Sequence, residues 1–164
     1  MTSISIDHHD NLSGGAFARI VHALLATDGS LRQTILRVIL GLVMLPHGLQ
    51  KTVGWFGGHG FDGTMGVFGS IGIPAFLGFL AIAAESLGAI ALVAGFTTRI
   101  AAFGIAVNML VAASMHVPNG FFMNWSGQQK GEGIEYHILT LAITAVLMAG
   151  GGGRFSLDRL FTRK

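Results

Sequence analysis

Seven side chains in this sequence combine a type and a position that could do chemistry: His47, Lys51, Glu85, Asn108, His116, Glu135 and His137. Glu85 sets the problem, because it is the single ionisable residue in the otherwise apolar or small run from Ile73 to Phe96. A run of that length suits a membrane-spanning helix at about 1.5 Å of rise per residue, and Glu85 lies about 16 Å from Pro74, near the middle of a hydrocarbon core about 30 Å thick. A carboxylate at that depth is costly, so it should face the protein interior and have a partner. Imidazoles, an ammonium group and a protonated carboxyl gathered there could donate to the carbonyl oxygens of a quinone and relay protons. The histidines with a carboxylate could instead ligate zinc or copper.

Helical spacing decides which of these groups can meet. Asn108, Ala112 and His116 lie four apart on one face, and His137, Thr140 and Thr144 share another. Glu85 is flanked on its own face by Ala81, Gly88 and Ala89, small residues that let backbones approach or leave room for a ligand. Gly41, Met44, His47 and Lys51 form a stripe, with Pro46 removing a helical hydrogen bond beside His47. The expected partners of Glu85 are therefore Asn108, His116 or a bound head group. Each residue also has a structural reading: Glu85 as a neutral acid bonded to Asn108, and His47 and His116 as interfacial histidines. Glu135 would be a carboxylate favoured by a helix N-terminus, and Trp55, Phe61, Phe122 and Trp125 an aromatic interface belt.

The elements that must position these residues follow from composition. The chain has 164 residues, 51% hydrophobic and only 11% charged, with a mean hydropathy of +0.64. That balance belongs to a single-domain membrane protein. There is no cysteine, which excludes disulfides, thiolate metal sites and redox-active thiols, so redox chemistry must belong to something bound. The glycine clusters near Gly57 and Gly150 lack the strand context of a phosphate-binding loop, and no nucleophile motif accompanies them. Lys and Arg sit beside the apolar runs, a pattern of membrane topology rather than of nucleic-acid binding. Met1 to Asp10 holds no Lys or Arg, unlike the basic start of a secretory signal.

In chain order, Met1 to Leu12 is polar and reads as unstructured. Phe17, Ile20, Val21, Leu24 and Leu25 then follow helical spacing with Arg19 and His22 on another face, an amphipathic helix for the membrane surface. Ser30 and Gln33 have the form of a capping box opening the first long segment, Leu31 to about Leu49. Lys51 to Gly72, rich in glycine and aromatics, reads as a loop folded back on the interface. The central segment ends at Gly95 and Phe96. A tight turn at Thr97 to Arg99 enters the third segment, Ile100 to Val117, and a second aromatic connection, Asn119 to Gly133, leads to the fourth, about Ile134 to Ala149. The domain organisation is thus an N-terminal cytoplasmic segment over 1–30, a four-helix domain over 31–150 and a basic cytoplasmic tail over 151–164. With four spans, Arg19, Arg32, Arg37, Arg99, Arg154, Arg159, Arg163 and Lys164 share one side, and only Lys51 and Lys130 fall opposite. That bias places both termini in the cytoplasm and the aromatic connections outside. The candidate residues then gather in the outer half of the bundle, and the inner half has almost no polar groups.

Four stretches carry a family likeness: LRVILGLVMLPHGLQKTVGWFGG, AESLGAIALVAGFTTRIAAF, MHVPNGFF and GEGIEYHILTLAI leading to GGGRFSLDRL. In their order and spacing the chain resembles the DoxX family of small four-span bacterial membrane proteins, over about Leu31 to Leu160. The resemblance implies a component of a membrane oxidoreductase system, since the family includes proteins of quinone-linked thiosulfate oxidation. The family-like positions are His47, Gln50, Lys51, Glu85, Arg99, His116, Glu132, Glu135, Ser156 and Asp158. A site role carries over only to those facing the outer bundle, with Arg99, Ser156 and Asp158 as topology and capping residues.

The expected fold is an all-α integral membrane four-helix bundle with an N-terminal amphipathic interfacial helix, in the bacterial inner membrane. The expected function is an oxidoreductase component that binds quinone in the outer half of the bundle. Glu85 and His116 would handle protons, and His47, Lys51, Asn108, Glu135 and His137 would hold the cofactor. A redox partner protein is expected, and a homo-oligomer is compatible with the sequence. The alternatives are a non-catalytic membrane scaffold and a metal-binding membrane protein using His47, His116, His137 and a carboxylate.

Overall fold

The computed structural model describes residues 9–162. Its elements are α1 (His9–Leu25), α2 (Leu31–Thr52), α3 (Gly60–Ser70), α4 (Ala75–Ala94), α5 (Thr98–His116), α6 (Glu135–Gly150) and α7 (Leu157–Thr162), with single 3-10 turns at Trp55–Gly57 and Val117–Asn119. The unstructured reading of Met1 to Leu12 gives way to helix from His9 onward, and residues 1–8 lie outside the described residues. No strand occurs among the described residues.

The long helices α2, α4, α5 and α6 form the bundle, with α2 against α4 and α5 between α4 and α6. Glycine brings α2 and α4 together. A Cβ on Gly48 would lie 2.6 Å from the Ser86 Cα and 2.7 Å from the Glu85 carbonyl oxygen, and one on Gly41 would lie 2.9 Å from the Ala89 oxygen. The two backbones thus touch along one seam, the packing that small residues permit in membranes. Leu40, Met44, Leu92, Ala102, Ile105, Met109 and Leu147 fill the centre.

The outside of the bundle is apolar. Leu42, Phe76, Phe79, Leu87, Ile90, Phe103, Leu110 and Leu139 are all exposed, an arrangement suited to lipid as the surrounding medium. Two helical stretches, Ala75–Ala94 and Thr98–Asn119, are long and apolar enough to cross a membrane. The fourth bundle helix, α6, has 16 residues, and α2, with 22 residues, carries Arg32, Arg37 and Lys51.

Three local expectations change. The stretch between Lys51 and Gly72 holds a helix, α3, which packs through Phe68 and Met65 onto Gly78 of α4. Ser30 makes half of a capping box: its hydroxyl accepts from Arg32 N at 3.1 Å, but Ser30 N donates to Asp28 Oδ1 at 2.8 Å. Gln33 reaches across to the Val146 carbonyl at 3.2 Å instead. The end of the bundle where α2 begins and α4 ends, expected to be nearly free of polar groups, holds a buried network. There Arg37, 2% exposed, donates to the carbonyls of Leu92 (2.7 Å), Val93 (2.6 Å), Gly152 (2.7 Å) and Phe155. It thereby adds a donor to carbonyls at the C-terminal end of α4, where helical partners run out; that of Leu92 also accepts from Gly95 N at 3.1 Å. The C-terminal stretch is part of this network rather than a free tail. Asp158, 1% exposed, accepts from Thr97 N at 2.6 Å and Thr98 N at 2.9 Å, capping α5 and holding Thr97 at φ 47°.

Candidate functional site: a buried ion pair beside a row of imidazoles

Glu85 sits on the buried face of α4 and is 5% exposed. Its Oε2 is ion-paired with Lys51 Nζ, and its Oε1 accepts from Asn108 Nδ2 at 2.5 Å. Three helices are thereby tied at one level by a charged acceptor and two donors. The Lys51 side chain is 26% exposed, so the buried carboxylate is linked through one ammonium group to the surface at the end of α2.

A second cluster is made by α5 and α6. His116, the last residue of α5, approaches His137 of α6, with Nδ1 and Nε2 3.2 Å apart and ring centroids 5.0 Å apart. His137 is buried, and its Nδ1 has no hydrogen-bond partner. Tyr136 continues the row toward α2: its ring lies 5.9 Å from that of His137 and 6.0 Å from that of His47. The Tyr136 hydroxyl donates to Met44 Sδ at 3.3 Å. A thioether is a weak acceptor, so this hydroxyl can turn to a better one at little cost.

The candidate residues therefore divide. Lys51, Glu85 and Asn108 form one connected group; His47, His137 and His116 form another with Tyr136 between them. His116 pairs with His137 and not with Glu85, and Lys51 is engaged by Glu85 instead of standing free to orient a head group. Glu135 stands apart from both groups: its carboxylate accepts from Met123 N at 3.1 Å and Trp125 Nε1 at 2.9 Å, and so fastens the connection before α6. Glu132 assists, accepting from Asn124 N at 2.7 Å. Among the described residues no three His, Asp or Glu side chains gather as a metal ion would require, so His47, His116 and His137 do not converge into the ligand set of the metal reading.

Tyr136 escaped the reading of the sequence. The available signal was that it is the sole tyrosine in the chain and lies between Glu135 and His137. A quinone fits the residues present, because its carbonyl oxygens accept hydrogen bonds. This row offers imidazoles, a weakly held hydroxyl and an orphaned ring nitrogen, bordered by apolar side chains.

A helical bundle with an apolar exterior and a charged pair buried among its helices is a membrane protein by its physics. The DoxX family model matches residues 33–125, more than half of the chain, and the chain belongs to that family. No curated protein and no solved structure matches it.

Proposed function

We propose that this chain is the membrane-embedded, quinone-binding component of an oxidoreductase system. In this reading α2, α4, α5 and α6 cross the bacterial inner membrane, with both termini in the cytoplasm. The observation that carries the reading is the row His47, Tyr136, His137, His116 running beside the closed group of Lys51, Glu85 and Asn108. Tyr136 and His47 donate to the head-group oxygens. The His116–His137 pair takes up or releases a proton, since a neutral imidazole pair can hold it on either ring. Glu85, held by two donors, accepts a proton through Lys51, whose ammonium reaches the surface. A bound quinone supplies the two-electron chemistry for which this cysteine-free chain has no group of its own, and a partner protein supplies or receives the electrons.

The test is purification in native lipid followed by quinone extraction, with thermal unfolding of the protein on adding a short-tailed ubiquinone. Co-purified quinone and a rise in Tm that disappears in Glu85→Gln and Tyr136→Phe are expected. Absence of quinone together with an unchanged Tm overturns the reading.

A further inference from the structure

The opposite end of the bundle carries more cations than carboxylates, and among the described residues none of these cations is held in a salt bridge. Arg37 and Arg99 are committed to backbone carbonyls, the latter to Ala26 at 3.2 Å and to Met148. The carboxylates nearby are committed too: both oxygens of Asp158 cap α5, and Asp28 accepts from Ser30 N. Among the described residues the one ion pair, Lys51 with Glu85, lies elsewhere. Arg154 and Arg159 are left as the positive walls of a groove of about 440 Å³, completed by Ala94, Phe155, Leu157 and Leu160. The Arg154 guanidinium lies 5.5 Å over the Phe155 ring. Arg159 donates one N–H to the Gly29 carbonyl at 3.3 Å and keeps others for a ligand.

We propose that this groove seats an acidic phospholipid, its phosphate between Arg154 and Arg159 and its acyl chains along the apolar side. Charge identifies the head group, because paired guanidiniums present forked donors matched to a phosphate. Apolar surface identifies a lipid as the source. Leu157, Leu160 and Phe161 are exposed beside the two arginines, and Phe161 extends that surface to Phe96, with ring centroids 6.3 Å apart. A free anion would leave those side chains in water, whereas acyl chains cover them. The helix α1, which packs against α7 and α5, adds exposed Phe17, Ile20 and Leu24 at the same end and lies naturally in the head-group layer. Basic pockets between helices on the cytoplasmic side are where anionic lipids bind other membrane proteins. This inference does not depend on the quinone reading.

The experiment is native mass spectrometry of the full chain in detergent with added phosphatidylglycerol or phosphatidylcholine, and a parallel arm with inorganic phosphate as competitor. Phosphatidylglycerol should be retained at least about tenfold more tightly than phosphatidylcholine. Arg154→Gln should weaken its retention roughly fivefold and the double variant with Arg159→Gln roughly 25-fold, from about one salt-sensitive contact per arginine. Lys130→Gln, at the other end of the molecule, should change nothing. Equal retention of the two lipids, or an Arg154→Gln variant that holds phosphatidylglycerol as well as the unaltered chain, overturns the proposal. Displacement of the lipid by millimolar phosphate also overturns it in favour of a small-anion site. The Arg154 backbone N–H donates to the Ser30 carbonyl at 3.1 Å, a bond that Arg154→Gln keeps, and its guanidinium is held by no hydrogen bond among the described residues, so the single variant decides the matter even where the double one does not fold.

Discussion

Glu85 is stabilised only as a member of a group, and that makes its partners unequal to their sum. Removing Lys51 leaves a carboxylate 5% exposed with one neutral donor, and such orphaned charges cost about 3 kcal/mol or more. Removing both charges removes the desolvation cost with the attraction. Lys51→Met is therefore expected to lower unfolding stability in detergent by about 2–3 kcal/mol, the lower figure reflecting the partly exposed lysine. Lys51→Met/Glu85→Gln should recover at least about half of that loss. A double-mutant cycle in which the two changes simply add would show that the pair is not coupled. Tyr136→Phe, by contrast, loses only a hydroxyl held by a thioether, and its Tm without quinone should change by less than about 2 °C. Glu85 and Asn108 were legible in the sequence, because a charge in an apolar run and an amide eight residues from His116 stand out by type and period. The engagement of Lys51 was not, since its reach depends on the depth at which Gly41 and Gly48 let α2 cross α4. Tyr136 was hidden because an aromatic near a helix end reads as interface belt.

The helices themselves show which parts of a membrane fold local pattern can reveal. The long apolar segments announce α2, α4, α5 and α6, and their ends lie within a few residues of where hydropathy puts them. The helix α3 does not, because glycine at 60, 63, 66 and 69 lowers intrinsic helicity and only packing of Met65 and Phe68 on α4 compensates. The docking of α7 was equally hidden: the donors to Asp158 lie about sixty residues away in sequence. That contact carries an expectation of its own. Asp158→Ala leaves two N–H groups at the start of α5 unsatisfied and frees Thr97 from a backbone conformation that non-glycine residues adopt only when held. A loss of about 2 kcal/mol in thermal or denaturant unfolding is expected, with Asp158→Asn losing about half as much because an amide oxygen still accepts one bond. Equal effects of the two substitutions would mean that packing of α7, and not the cap, matters. Gly95→Ala tests the same corner sterically, since its Cβ would fall 2.6 Å from that of Ser156 and its φ is 69°. It should be at least as damaging as Asp158→Ala.

At the scale of the whole molecule, exposure runs opposite to that of a water-soluble bundle: Leu87 is 67% exposed on the middle of α4, while Arg37 and Glu85 are buried. This pattern is stable only if lipid covers the outside, and in the proposed four-span topology the eight-to-two distribution of Lys and Arg turns the end that holds both termini toward the cytoplasm. The absence of cysteine makes both statements directly testable with single-cysteine variants and a membrane-impermeant maleimide. Ser126→Cys, in the connection before α6, should label in cells whose outer membrane alone has been opened. Thr162→Cys, at the end of α7, should label only after the inner membrane is permeabilised. Leu87→Cys should resist the reagent in both conditions and react after denaturation in detergent. Labelling of Ser126→Cys and Thr162→Cys from the same side would remove the odd number of crossings between them that a fourth span requires. Ready labelling of Leu87→Cys in intact membranes would place the exposed face of α4 in water. The buried pair of Lys51 and Glu85 would then need another explanation than a bundle that turns its apolar side chains outward to lipid.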